Sequence, residues 1–197
     1  MSILKRIIED KIKEVELKKS IIPVAQLEQS VLFDRPKNSL KKRLSESKSG
    51  IIAEHKRRSP SKAVINQSLN IQDVAKGYQT AGVCGMSVLT DTKFFGGNLE
   101  DLLVARASCN LPLLRKDFII DPYQVYQSKL IGADCILLIM SILSEKEAVE
   151  LEKIAIENGL DVLVEIHDKE ELEKALKLQT KLIGVNNRNL KNMTIDI

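Results

Sequence analysis

Several ionisable and amide side chains in this sequence stand directly behind short aliphatic runs. Glu54 and Lys56 follow the run 51–53, Lys116 follows 112–114, and Glu165 lies near the end of 162–166 with His167 just beyond. Asn186 and Arg188 follow the run 182–185. These are the groups of acid–base chemistry. Two neighbouring lysines depress each other's pKa and burial depresses it further, which makes one of them a proton donor near neutrality. A nearby glutamate opposes that shift, and one glutamate can position a lysine while another moves a proton. Arg188 offers a two-pronged contact for a carboxylate or phosphate. No order of Ser, His and Asp reads as a hydrolytic triad. His55 and His167 are the only histidines, and their neighbours do not suggest a metal site. Strand alternation sends His55 to the face opposite Glu54 and Lys56, so it is expected to pack against a helix.

The elements that must position these groups follow a regular rhythm from residue 50 onward. Aliphatic runs at 51–53, 84–89, 112–114, 135–140, 162–166 and 182–185 alternate with amphipathic stretches at 71–81, 99–107, 122–130, 145–158 and 169–178. Asp121 before Pro122 reads as an N-cap with proline at the first helical position. Ser144 with Glu147 reads as a capping box, and Gly82, Gly132 and Gly159 fit helix C-terminal positions. Strands alternating with helices imply a parallel sheet buried on both faces. Two architectures use that pattern, the open doubly wound sheet and the closed eight-stranded barrel. The absence of G-x-G-x-x-G after the first strand weighs against a dinucleotide-binding sheet. The six strand starts recur about every 26 residues, so eight units would run to about residue 259, a normal barrel length. The chain ends at Ile197, after the sixth strand.

Residues 1–49 differ from the remainder, 50–197: they are rich in Lys and Ser and contain no convincing strand. Ile3, Leu4, Ile7, Ile8, Ile12 and Val15 recur at helical spacing, so a helical extension is expected to brace or cover the main domain. Its alternation of charge and aliphatics is not a signal peptide. No apolar run approaches the ~18 residues of a membrane span. The formal charge of +3 is too small to argue for nucleic acid. Cys84, Cys109 and Cys135 are too few and too widely spaced for a disulfide framework or metal clamp, and are expected to be reduced core thiols of a cytoplasmic protein.

The segment EHKRRSPSK at 54–62 is the most distinctive stretch. It reads as a solvated basic loop, or as one whose serine hydroxyls and lysines meet an anionic substrate. With the preceding IIA it resembles the first-strand signature of the indole-3-glycerol phosphate synthase family. SVLTDTKFFGGNLEDL, LPLLRKDFIIDPYQV, GADCILLIMSIL, LDVLVEIHD and LIGVNNRNL resemble that family's following strands in the same order. Ala63 departs from the glycine common after SPSK.

The resemblance implies a TIM-type (β/α)8 barrel, present here as about six strand–helix units behind an N-terminal helical extension. It also implies a carboxy-lyase of tryptophan biosynthesis acting on 1-(2-carboxyphenylamino)-1-deoxyribulose 5-phosphate. Lys116 falls on the general-acid lysine and Glu165 on the glutamate of the dehydration steps. Glu54 and Lys56 fall on the first-strand pair. Ser59, Asn186 and Arg188 match substrate-holding positions. Phe95, Phe118 and Leu137 match the apolar wall around the anthranilate ring, where plain core packing is a nearly equal expectation. No metal or organic cofactor is implied, and the partner is a phosphorylated small molecule rather than nucleic acid or membrane; oligomeric state is not readable.

In that family a seventh strand supplies another glutamate and a serine, and loops after strands seven and eight build much of the phosphate site. The 197-residue chain alone is therefore expected to have little or no activity and to expose the edges of its outer strands. Two other readings remain at this level: another phosphate-binding barrel, such as a phosphoribosylanthranilate isomerase, which Glu54-x-Lys56 argues against, and a non-catalytic remnant.

Overall fold

Each aliphatic run of three to six residues forms a strand between capped helices, and the strands Gly85–Leu89 and Cys135–Ile139, buried along their whole length, show the apolar runs that a sheet covered on both faces requires. The computed structural model describes residues 2–30 and 32–187. Its strands are β1 (Ile52–His55), β2 (Gly85–Leu89), β3 (Leu113–Lys116), β4 (Cys135–Ile139), β5 (Asp161–Ile166) and β6 (Ile183–Val185). All pair in parallel, in the order β1-β2-β3-β4-β5-β6. A doubly wound sheet reverses its strand order part way. This one never does, and it forms a half-barrel.

The helices sit where the caps place them. Before the sheet come α1 (Ile3–Ile21), α2 (Val24–Glu28) and α3 (Leu40–Glu46); between strands lie α4 (Ile71–Thr80), α5 (Thr92–Phe95), α6 (Leu99–Ser108), α7 (Pro122–Leu130), α8 (Glu145–Glu157) and α9 (Lys169–Ala175). The Asp121 carboxylate caps α7 through Tyr123 N, with Pro122 in its first turn. Ser144 and Glu147 form the reciprocal capping box of α8. Gly82, Gly132 and Gly159 follow α4, α7 and α8 with φ of 75°, 89° and 72°, the left-handed region that ends a helix at low cost for glycine.

Strand alternation divides the core. Ile136, Leu138, Val162 and Val164 face the helices and pack with Ala148, Leu151 and Ala155 of α8. Met86, Val88 and Leu113 pack against α4 and α6. The opposite phase, with Leu114, Cys135, Leu137, Ile139 and Leu163, fills the concave side together with Ile7 and Leu40 from the N-terminal helices. Cys84, Cys109 and Cys135 are all buried and unpaired, as expected. Burial pushes the Cys135 thiol well up, which keeps it protonated.

The N-terminal helices run along the wall from one end of the half-barrel to the other. Lys11 of α1 meets Asp91 and Asp117, which follow β2 and β3. Leu27 of α2 packs on Tyr123 of α7. At the far end Arg35 and Asn38 N donate to Asp134 before β4, and Ser39 donates to Asp161 at the start of β5. The expected buried stripe of α1 needs one correction. Ile12 is 44% exposed. The buried positions step by four residues through Ile7, Lys11 and Val15. The lysine belongs to the stripe because buried carboxylates wait for it.

Candidate active site

Parallel strands of one hand end together, so inward residues at their C-terminal ends share a mouth. Register sets Glu54 beside Ser87, and Leu89 beside Lys116. Glu165 pairs with Ile139 on one side and Gly184 on the other. Lys56, Ser59, Phe95, Lys116, Phe118, Leu137, Glu165 and Asn186 thereby line one cavity of about 320 Å³. Arg188 lies outside the described residues.

Glu54 reaches this group from one side. Its Oε1 accepts a 2.5 Å hydrogen bond from Lys56 Nζ, and its Oε2 lies 3.6 Å from Lys116 Nζ. It also borders a second hollow beside β1 with Tyr78 and Val74 of α4. Burial pushes the Glu54 carboxyl up, but the Lys116 and Lys56 charges outweigh it and hold it below its ordinary value. Lys116 Nζ is 3.5 Å from Glu165 Oε2, and Asn186 Nδ2 donates to Glu165 Oε1 at 2.9 Å. Two ammonium groups and two carboxylates thus alternate around the rim.

The wall beside them is apolar. The rings of Phe95 and Phe118 lie 5.9 Å apart and tilted by 40°. Phe118 is 7% exposed and Leu137 1%, so both also serve the concave core. A flat aromatic substrate matches such a wall in shape and polarity.

The basic run after β1 divides its work. Arg57 forms a two-pronged pair with Asp101 of α6, and Arg58 donates to the carbonyls of Thr92 and Lys93. Both arginines thus clamp the loop to neighbouring elements. The clamp leaves Ser59, Pro60, Ser61 and Lys62 on the cavity. Ala63, the departure from the family pattern, is exposed, and its methyl group is accommodated.

His55 is buried on the helix side of β1, as strand alternation predicts. Sequence reasoning did not find Asp117, which lines the cavity from beneath. Asp117 accepts from Thr90 Oγ1, Arg115 Nη2 and Phe118 N, and meets Lys11 at 3.0 Å. Burial raises its carboxyl, but Lys11 and Arg115 dominate and hold it far below the usual range. Its signal was present in outline: an Asp directly after the candidate acid, and one lysine on an apolar helix stripe. Among the described residues no group of His, Cys, Asp and Glu could hold a metal ion, and no helix is long and apolar enough to cross a membrane.

The profile of the family named Indole-3-glycerol phosphate synthase matches residues 4–197. The indole-3-glycerol phosphate synthase of Azospirillum brasilense is 46% identical over 199 residues, covering 99% of this chain and 76% of that protein. Those of Bacteroides thetaiotaomicron and Acinetobacter baylyi are 46% and 45% identical, covering 99% and 100% of this chain and 75% and 74% of their own lengths. The chain thus spans about three quarters of these relatives. With a parallel sheet of unbroken strand order, a rim of paired lysines and glutamates, and a match that runs nearly its whole length, the chain belongs to the indole-3-glycerol phosphate synthase family.

Proposed function

We propose that the cavity closes the indole ring of 1-(2-carboxyphenylamino)-1-deoxyribulose 5-phosphate, with loss of carbon dioxide and water. The observation that carries this reading is the position of Lys116 between two carboxylates at the edge of an aromatic-walled cavity. Lys116 protonates the sugar's C2 carbonyl oxygen as the aromatic ring carbon attacks C2. Carbon dioxide leaves and the ring regains aromaticity. Glu165 then takes and returns protons as the C2 hydroxyl departs as water. Lys56 contacts the substrate carboxylate, and Glu54 holds both lysines as ammonium ions. Phe95, Phe118 and Leu137 enclose the anthranilate ring. Ser59, Asn186 and Arg188 hold the polar substrate groups. The buried free thiols are consistent with a cytoplasmic setting.

The test is single-turnover incubation of the ketose phosphate with the protein carried on through the seventh and eighth strand units of its family, reading indole absorbance and released carbon dioxide together. The reading predicts one carbon dioxide per indole formed. Absence of an indole product, or indole without carbon dioxide, contradicts it.

A further inference from the structure

His167 follows β5 by one residue and has no part in the reaction as described above. Its side chain is 9% exposed, the same as that of Glu165. Glu171, in the first turn of α9, accepts the His167 backbone N–H at 2.8 Å and lies 3.1 Å from ring Nδ1. Glu171 is itself set by Asp168, which caps α9 through the Glu171 N–H. A carboxylate only accepts, so this contact requires a proton on Nδ1. The other ring nitrogen, Nε2, is buried with no hydrogen-bond partner among the described residues. It lies 3.8 Å from Glu165 Oε1. An unsatisfied buried nitrogen costs free energy, and its nearest charged neighbour is the carboxylate assigned to proton transfer.

We propose that His167 is a positioning residue that shares a proton with Glu165, its ring held by Glu171 so that Nε2 exchanges that proton with Glu165 Oε1. The inference rests on the acid–base role given to Glu165 above. When Glu165 has taken a proton from substrate, its O–H bond breaks as an N–H bond forms on Nε2. The electron pair of the broken bond stays on the carboxylate, and no other reactant is consumed. The return step restores the proton to Glu165 for the departing hydroxyl. Closing 3.8 Å to a hydrogen bond takes a movement of about 1 Å. Asn186 donates to the same Oε1 and fixes the carboxylate from the other side. Glu165 is 7% exposed, so exchange of its proton with water is restricted and a neighbouring store has a use.

Among the described residues the charged groups facing the ring within 4.0 Å are Glu165 of β5 and Glu171 of α9, with Lys116 of β3 beyond Glu165. The chain holds two histidines, so 15N-histidine NMR resolves the ring directly. His167→Gln assigns the signals by their loss. In the native chain the proposal expects Nδ1 to stay protonated throughout a pH titration and Nε2 to be the titrating nitrogen. A ring protonated on Nε2 and bare at Nδ1 overturns it, and this measurement needs no variant at Glu165. In Glu165→Gln the Nε2 signal of His167 is expected to shift while Nδ1 keeps its proton, because an amide then faces Nε2 in place of the carboxylate. An Nε2 signal unmoved by that substitution overturns the proposal. If the native protein of the ring-closure test forms indole and carbon dioxide together while Nε2 is unmoved, the ring-closure reading stands and the shared proton falls. If Nε2 moves while that native protein forms no indole, the contact stands and the reaction assigned to the cavity falls.

Discussion

Lys116 Nζ stands midway between two carboxylates, 3.6 Å from Glu54 Oε2 and 3.5 Å from Glu165 Oε2. The two glutamates come from strands at different places in the sheet, β1 and β5, and converge because the sheet curls around its concave face. Each carboxylate favours the charged ammonium, and each is close enough to tighten onto Lys116 when substrate excludes water.

Glu54→Gln removes the negative charge that both lysines share. A hydrogen bond to a charged group contributes about 1.5–3 kcal/mol, so ring closure is expected to slow about tenfold to a hundredfold, with the fold unchanged by circular dichroism. The native Glu54 carboxyl is held below its ordinary value by the lysines. Its contribution is present at neutrality and fades only as pH falls through that lowered value. A pH–rate profile whose acid limb is set by Glu54 above the ordinary glutamate range contradicts this.

Lys11→Met tests the brace. Lys11 is 1% exposed and lies 3.1 Å from Asp91 and 3.0 Å from Asp117. Burial opposes its charge, yet Asp117 and Asp91 raise its pKa above the ordinary lysine value. Removing one partner of a buried ion pair costs about 3–5 kcal/mol, and urea unfolding is expected to show a loss of that order. The Lys11 contribution is complete below the ordinary lysine value and is lost as pH rises through the raised one. The Asp117 contribution is complete above the ordinary aspartate value and is lost as pH falls through the lowered one. Stability from the pair is therefore flat across neutrality. A loss near the ~0.5 kcal/mol of a surface substitution contradicts the role.

His55 gives an acid dependence of opposite origin. It is 3% exposed. Burial lowers its pKa and the Arg57 charge lowers it further, while Asp101 opposes them. Below about pH 6.5 the unfolded chain takes a proton at this ring that the folded chain refuses. Stability therefore falls as pH drops from that point toward the lowered folded value. The urea midpoint of His55→Gln is expected to fall less between pH 7.5 and 5.5 than that of the native chain. Parallel curves for the two proteins contradict it.

Gly97 marks a close approach beside the cavity. A Cβ there would lie 2.0 Å from the Leu89 carbonyl oxygen and 2.5 Å from its carbon, both backbone atoms that cannot rotate away. Leu89 lines the cavity. Gly97→Ala is expected to cost about 1–3 kcal/mol or more, as overpacking does, read by thermal or urea unfolding. Native-like stability contradicts the geometry.

The strand–helix rhythm was legible because apolar runs, N-caps and terminal glycines agree at each unit, as at Asp121-Pro122 and Ser144/Glu147. Strand ends were legible to within a residue: Glu54, Lys116 and Glu165 lie at strand ends as expected, and β1 stops at His55, one short of Lys56. Glu54, His55 and Lys116 belong to strands although charge or a ring interrupts the aliphatic run, because neighbouring strands hydrogen-bond the backbone whatever the side chain. The rim residues were legible from their position behind each run. The layer beneath them was not: Lys11 finds Asp91 and Asp117, which lie far along the chain on other elements. Helical periodicity sees only that a lysine interrupts an apolar stripe, and so Ile12 was expected inside. Nor does a basic run reveal which of its cations are clamps. Arg57 and Arg58 are bound to other parts of the fold, while Lys62 lines the cavity.

The central claim is that Lys116 supplies the proton for ring closure. Single-turnover indole formation by Lys116→Ala, measured beside the native protein with both carried on through the seventh and eighth strand units of the family, tests it directly. General-acid catalysis contributes about 100- to 10,000-fold, so the variant is expected to fall by that factor while its unfolding curve stays native. Indole formation by Lys116→Ala at the native rate contradicts the account.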